Sequence, residues 1–201
     1  MSVSKYYAPA LAVMAACVMG PVGSALADEA ADVAAVRQAV EKYQDVEVAL
    51  ADGYMADPAG YCVTAADAGL PAEYGAMGIH YLNPGLLKVT STDPRVDGES
   101  TYTDWTKPSI LIYEPQAGGS LKLVGVENLV FIKSWTAAGN TAPPEIAGRV
   151  WDFMEDDPAT PGDEAHGFMP HYDQHVWVYR DNPGGNLEPF NAAVTCEHKA
   201  R

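Results

Sequence analysis

Three ionisable side chains stand where short β-strands would normally carry apolar ones. His80, Glu127 and His175 each lie within an apolar run of the kind that is typical of a buried strand. A carboxylate or imidazole on the buried face of a strand costs free energy unless it is paired, hydrogen-bonded or bound to a metal. Two imidazoles and one carboxylate are a common ligand set for zinc, copper or iron, and they leave positions open for water or substrate. The sequence therefore predicts a site for a divalent transition metal at these three residues.

The same residues allow interpretations without a metal. A His–Glu pair in an apolar pocket can act as general base and orienting acid, as in small cone-shaped α+β isomerases. A pocket for a small apolar ligand could use the three groups to orient that ligand. In a structural protein, His80 would bind a carbonyl oxygen, and Glu127 would pair with Arg149, with Arg180 or with His175. The sequence leaves open whether the site is catalytic.

The last apolar run adds candidate outer-shell residues to the predicted site. His171, Asp173 and His175 alternate along it and therefore share one face of a strand. His171 and His175 would lie about 13 Å apart in an extended chain, too far to bind one ion together. We expect His175 to be the inner residue and His171 to lie near a rim. Tyr81, next to His80, is a further candidate for an outer proton donor.

The strand that carries Glu127 suggests where the pocket lies. Glu127 is expected to share one face with every second residue of the run 121–131, including Gly125. A glycine beside Glu127 would leave space for a pocket on that face. If residues 116–119 form a hairpin turn, Ile110 pairs onto the same face and Glu127 lies at the open end of the hairpin.

The elements that must position these residues indicate an α+β fold. Residues 29–52 place an apolar side chain every three or four positions, which predicts an amphipathic helix. After it, short apolar runs alternate with Gly, Pro and Asn turns, which favours antiparallel strands. We predict that the N-terminal helix packs on a curved antiparallel β-sheet or partial β-barrel. The predicted strands are 77–82, 85–90, 109–114, 120–133, 148–154 and 172–180.

The N-terminus has the features of a secretory signal peptide. Lys5 is followed by an apolar stretch and then by small residues up to Ala27, where we expect cleavage. An alternative is a lipobox that would make Cys17 a lipidated N-terminus. The 201-residue chain less a leader of 27 leaves 174 residues, which predicts a single globular domain over 28–201. The expected location is periplasmic or extracellular, or membrane-anchored if Cys17 is lipidated.

The two cysteines outside the leader, Cys62 and Cys196, predict a disulfide. An even pair in an exported protein favours a structural cross-link. The chain has no C-x-x-C spacing, which argues against a redox-active pair.

Composition and motif content exclude several classes of partner and reaction. The net charge is −15, and it becomes −16 when the leader with Lys5 is removed. An acidic surface repels nucleic acid and anionic lipid, so a metal or small molecule is the expected partner. The apolar leader is interrupted by Pro9 and Gly20, which argues against an integral membrane span. No phosphate-binding loop, G-x-S-x-G elbow or H-E-x-x-H motif occurs.

Four stretches of the chain carry a family resemblance, and together they cover much of it from Gly53 onward. They are 75–84, 123–127, 175–184 and 191–196. In these stretches the chain resembles a group of small exported bacterial proteins of uncharacterised function. The resemblance implies that His80, Glu127 and His175 belong to the pattern of the group. It also shows a departure, because Asn128 stands where the group has an aromatic residue after the glutamate, which bears on the pocket lining.

Overall fold

The computed structural model describes residues 22–57, 60–155 and 167–199. Residues 1–21, which include most of the predicted leader and Cys17, lie outside the described residues. The signal peptide, the lipid anchor at Cys17 and the single domain over 28–201 therefore stay predictions. Among the helices of the described ranges, none is both long and apolar enough to cross a membrane.

Short strands follow a helical N-terminal part. In chain order the elements are α1 (Val22–Ala39), a 3-10 helix (Glu41–Gln44), α2 (Val46–Ala51), β1 (Met55–Ala56), β2 (Cys62–Thr64), a 3-10 helix (Ala72–Tyr74), β3 (Ala76–Leu82), α3 (Pro84–Leu87), β4 (Val89–Ser91), β5 (Asp97–Gly98), β6 (Ile110–Pro115), β7 (Leu121–Phe131), α4 (Ile132–Ala137), β8 (Glu145–Ile146), β9 (Arg149–Val150), β10 (Asp152–Met154) and β11 (His171–Trp177).

The helix predicted over 29–52 is present as three segments rather than one. α1 ends at Ala39, and α2 begins only at Val46. Between them Asp45 has an extended backbone, and its side chain accepts a hydrogen bond from the Glu47 N–H at 3.0 Å. This is an N-cap, and it begins a new helix in the middle of the predicted one.

The main sheet is antiparallel and open, which confirms the α+β class. Its strand order is β1-β3-β6-β7-β11-β10, with β2 also paired to β3. In the described part of the chain, β1 pairs only with β3 and β10 only with β11. A closed barrel requires the two edge strands to pair with each other, so the sheet is not closed into a barrel.

The strand predicted over 85–90 is helical in its first half. Asn83 accepts a hydrogen bond from the Leu86 N–H at 3.1 Å, and Pro84 occupies the first helical position. An Asn N-cap followed by Pro favours a helix start, and here that local signal produces α3 in place of a strand. Only Val89–Ser91 remains extended.

A β-bulge divides β7 into two parts whose side chains alternate differently. Glu127 pairs with Ile110, so these two residues share a face as predicted. Closer to the turn the register shifts, and Leu123 pairs with Tyr113, with which it belongs to a separate buried cluster. The alternation predicted across 121–131 is therefore wrong for its first residues, because the bulge inserts one extra residue into the strand.

The two faces of the central strands β3, β6, β7 and β11 differ in chemistry. The apolar face carries Leu111, Val126 and Val176, which are direct cross-strand neighbours. These side chains belong to a large buried cluster that also contains Val36 of α1 and Val40, the residue that follows α1. This face is built almost entirely by apolar burial.

The opposite face, which we call the site face, carries His80, Glu127 and His175. Two smaller buried apolar clusters lie on it, one containing Leu129 and the other containing Ile112. The candidate site therefore has an apolar cluster on each side along the strands.

The predicted disulfide between Cys62 and Cys196 is confirmed, with the two Cα atoms 5.7 Å apart. It joins β2 to the C-terminal segment. In that segment Val194 belongs to the same buried cluster as Ile112 and Trp177 of the site face. The cross-link thus fastens a covering segment over one part of the site face.

Candidate metal centre

Three strands bring His80, Glu127 and His175 to one place on the site face. His175 on β11 pairs directly with Glu127 on β7. His80 on β3 lies two strands away from Glu127, with β6 between them, and it pairs with Ile112. Their long side chains converge, because paired residues of neighbouring antiparallel strands point to the same side. All three residues are buried, with relative exposures of 2–3%.

The ligand atoms of the three side chains form a compact group. Glu127 Oε2 lies 3.1 Å from His80 Nε2 and 3.5 Å from His175 Nε2. All three atoms lie within 4.8 Å of one another. The two imidazole rings meet at 89°, with centroids 5.8 Å apart. Three potential ligands of one ion are thus already in place.

Two of the internal pairings that would make Glu127 a structural residue, those with Arg149 and Arg180, are not formed. Arg180 pairs with Glu114, and Arg149 pairs with Asp152 and Glu188. Neither arginine is therefore the partner of Glu127.

Two atoms of the group lack a hydrogen bond within the described residues. His175 Nε2 and Glu127 Oε2 are both buried, and their contact at 3.5 Å does not have hydrogen-bond alignment. A buried polar atom without a partner costs about 1–3 kcal/mol, so two of them at one point require an explanation.

The site also perturbs the ionisation of its own groups. Burial, with a smaller effect from the Asp57 charge, raises the pKa of Glu127 to about 8, while a hydrogen bond with Asp173 acts the other way. Burial lowers the pKa of His80 to about 4, and Asp57 opposes this. Burial and the neighbouring His80 lower the pKa of His175 well below its ordinary range. At neutral pH the imidazoles are neutral, which is the form that binds metals.

Of the expected outer-shell residues, His171 and Asp173 lie on the site face beside the group. His171 Nε2 lies 3.8 Å from Asp173 Oδ2, and His171 Nδ1 lies 2.9 Å from the Met169 carbonyl oxygen. His171 is 1% exposed, so the expectation that it lies near a rim is wrong. The first residue of a strand can still be deeply buried when a following or preceding segment covers it, and here Phe168 packs against the His171 ring.

Two sequence neighbours of the candidate ligands belong to the opposite side of the sheet. Tyr81 pairs with Leu111 of the apolar face and its ring packs on Tyr113, with centroids 4.9 Å apart. Tyr81 is therefore not an outer-shell residue, because adjacent residues of a strand point to opposite faces. For the same reason Asn128 does not line the site; its Oδ1 accepts a hydrogen bond from the Ser109 N–H at 2.8 Å.

The space beside Gly125 is occupied by the Trp177 side chain and is not an open pocket. A Cβ atom on Gly125 would lie 2.9 Å from the Trp177 indole, so the space expected there is filled. The indole stacks on the His175 ring, with centroids 6.2 Å apart and planes at 25°, and its Nε1–H donates to the Glu188 carbonyl oxygen. Gly125 thus lets Trp177 fix the orientation of His175.

Sequence analysis missed the part played by two residues near the site. Asp57 is 5% exposed, and its backbone N–H donates to the His80 carbonyl oxygen at 2.9 Å. Its position between a two-residue edge strand and Pro58 gives no periodic signal. Trp177 does have a periodic signal, because it follows His175 by two residues in the strand. This spacing is equally typical of an ordinary core tryptophan.

No protein-family model matches the chain, and comparisons with curated proteins and with solved structures found no match.

Proposed function

We propose that this protein is an exported metalloprotein that binds one divalent transition metal through His80, Glu127 and His175. The observation that carries the proposal is the convergence of three buried ligand atoms within 4.8 Å, two of which have no hydrogen bond to any residue in the described ranges. A bound cation supplies the missing partner for both atoms.

The separations support a single shared ion. Two ligands that each lie about 2.0–2.1 Å from a tetrahedral zinc ion are roughly 3.3–3.4 Å apart. The measured distances from Glu127 Oε2 to the two imidazole nitrogens are 3.1 and 3.5 Å. Small side-chain adjustments are sufficient to complete the coordination.

The donor set narrows the choice of metal and its chemistry. Two imidazoles and a carboxylate suit zinc, copper or iron. Both cysteines of the described chain are in the disulfide, so no thiolate joins the site. When bound, such an ion could polarise a substrate or lower the pKa of a bound water. The protein residues would hold the ion, and Asp173 would orient Glu127 through their hydrogen bond.

A second candidate function needs no metal and uses the His80–Glu127 contact at 3.1 Å. With its pKa raised to about 8, Glu127 would be a protonated acid at neutral pH beside a neutral imidazole. Such a pair can exchange protons with a substrate. It does not account for the approach of His175 Nε2 to the same oxygen, and we therefore place it second.

The cavity beside the group argues against a pocket for a small organic ligand. Its volume is about 10 Å³. Pockets for drug-sized ligands measure about 300–1,000 Å³. The space suits a water molecule or an ion instead.

Location and the packing of the N-terminal part belong to the proposal as well. The disulfide supports an oxidising compartment, periplasmic or extracellular. We place the N-terminal helical segments over the apolar face, since Val36, Val40 and Tyr43 share a buried cluster with Leu111 and Val126.

Elemental analysis of the exported chain, purified without a histidine tag or chelator, tests the proposal. We expect about one equivalent of zinc, copper or iron per chain. His175→Ala and Glu127→Gln should lose the metal. His198→Ala is the matched control, because His198 is exposed and removes an imidazole outside the site.

Two outcomes contradict the proposal. One is a wild-type protein without metal that also takes up none on titration. The other is loss of metal from His198→Ala with retention in His175→Ala, which would show surface binding only.

A further inference from the structure

The small cavity beside the ligand group has a definite position. It touches His80 and Glu127 but not His175, so it adjoins the group on one side only. Its remaining wall consists of four apolar side chains and two ionisable ones. They are Leu82, Ile110, Leu129 and Phe168, with Asp57 and His171.

Besides the Asp57 carboxylate, the wall contains an imidazole, that of His171, which can accept a hydrogen bond. His171 Nδ1 lies 2.9 Å from the Met169 carbonyl oxygen, which can only accept, so Nδ1 carries the proton. In the neutral ring Nε2 is then an acceptor. A water molecule bound to a metal is a strong donor, and His171 therefore suits a metal-bound water better than it suits an incoming anion.

We infer that this cavity holds the exchangeable ligand of the metal and limits that ligand to the size of a water molecule or a diatomic. The inference rests on the proposed metal site. It follows from the volume, about 10 Å³, which accommodates roughly one water molecule, and from the four apolar side chains that line the space. The substrate class of the site is thus a small inorganic molecule and not an organic one.

Leu129 offers a way to enlarge the cavity, and the chain supplies a matched control. Leu129 and Leu123 lie on the same strand and are each 1% exposed. Leu129 lines the cavity, whereas Leu123 belongs to the cluster of the apolar face. Truncation of either leucine removes the same atoms, but only Leu129→Ala widens the space next to the ligand group. Leu129→Val is the milder variant to use if Leu129→Ala does not fold.

The experiment loads the exported chain with Cu²⁺ and measures two properties. Pulsed EPR in D₂O detects deuterons of a water bound directly to the copper. Titration with azide, followed by its charge-transfer absorption, measures entry of a larger ligand. We expect a bound water in the wild type, negligible azide binding in the wild type and in Leu123→Ala, and azide binding tighter by on the order of tenfold or more in Leu129→Ala.

The failures of the two proposals are distinguishable. If copper binds and no coupled deuterons are found, the protein itself fills the remaining position and the inference is overturned, while the metal site stands. If the wild type binds azide as tightly as Leu129→Ala, the cavity does not select by size and the inference is likewise overturned. If Cu²⁺ does not bind at all, the metal site fails, and the inference fails with it.

Discussion

The apolar face and the site face belong to the same four strands but are built on different principles. On the apolar face Leu111, Val126 and Val176 pack into one large cluster. On the site face the residues next to them in sequence are Ile110, Glu127 and His175. β7 and β11 therefore each have an apolar side whose burial stabilises the sheet and a side that carries a buried ionisable residue, whereas β6 is apolar on its site face as well, with Ile110 and Ile112.

The difference between the two faces points to the site face as the candidate location of the function. Five ionisable residues on the site face are buried, with relative exposures of 1–3%: His80, Glu127, His171, Asp173 and His175. Burying such groups without compensation costs several kcal/mol. The polar residues buried on the apolar face, Asn128 and Gln174, are uncharged amides. A metal bound by His80, Glu127 and His175, as proposed, would compensate part of the cost of burying the ionisable groups on the site face.

Loss of the disulfide is expected to have the largest effect, and it should weaken the cover of the site face. Cys62 and Cys196 are separated by 134 residues, and closing a loop of that length stabilises the fold by about 5 kcal/mol in the chain-entropy model. The double variant Cys62→Ser/Cys196→Ser should lose most of that free energy of unfolding in urea titrations. A loss below about 1 kcal/mol would contradict the role of the cross-link.

Truncation of two adjacent residues of β6 compares the two faces directly. Leu111→Ala and Ile110→Ala should each lower the free energy of unfolding by about 2–5 kcal/mol, because both side chains are buried. Only Ile110 faces Glu127 and lines the cavity. We therefore expect thermal stabilisation by added metal to be unchanged in Leu111→Ala and altered in Ile110→Ala. Equal responses in both variants would remove the distinction between the faces.

The pH dependence of the stability of the metal-free protein distinguishes the contribution of the Glu127 carboxyl group from that of the imidazoles. The pKa of Glu127 is raised from 4.5 to about 8, so its contribution to stability is full below pH 4.5 and is lost as the pH rises through 8. The pKa values of His80 and His171 are lowered from 6.5 to about 4, so their contribution is present above pH 6.5 and is lost as the pH falls through 4.

The free energy of unfolding of the metal-free protein is expected to fall toward both alkaline and acid pH. Glu127→Gln should therefore remove the fall toward alkaline pH and keep the fall toward acid pH. The slope that disappears is at most about 1.4 kcal/mol per pH unit, the value for one proton. Urea unfolding at a series of pH values from 4 to 9 measures it. A wild type and variant with parallel pH profiles would show that Glu127 is not protonated in the folded metal-free protein.

Asp173→Ala should have the smallest effect, and this effect should be confined to metal affinity. The Asp173 side chain hydrogen-bonds Glu127, and removal of such a supporting group typically weakens metal affinity by about 10–100-fold. Competition with a chromophoric chelator measures this change. Asp152→Ala is the control, because Asp152 is partly exposed and pairs with Arg149. An equal loss of affinity in both variants would mean that overall charge is responsible.

Much of the site could be predicted because strand alternation is local. The two-residue period placed His171, Asp173 and His175 on one face, and the hairpin placed Ile110 opposite Glu127. The same rule assigns Tyr81 to the face opposite His80. The prediction that Tyr81 is an outer proton donor did not apply this rule.

Other features could not be predicted, because they depend on local competition or on residues outside the strand. The bulge in β7 reversed the side occupied by Leu123, and one extra residue in a strand leaves no mark in an apolar run. The Asn83 cap converted an apolar run into α3. The burial of His171 depends on Phe168, which precedes the strand and packs against the imidazole ring, and strand alternation does not report such a cover.

X-ray absorption spectroscopy of the metal-loaded exported chain tests the central claim most directly, because it reports the atoms bound to the ion. The account predicts a first shell of nitrogen and oxygen at about 2.0–2.2 Å, with the multiple scattering of two imidazoles. In His175→Ala one imidazole should disappear from the spectrum. A first shell of oxygen alone, or one that keeps both imidazoles in His175→Ala, would contradict the assignment of His80, Glu127 and His175 as the metal site.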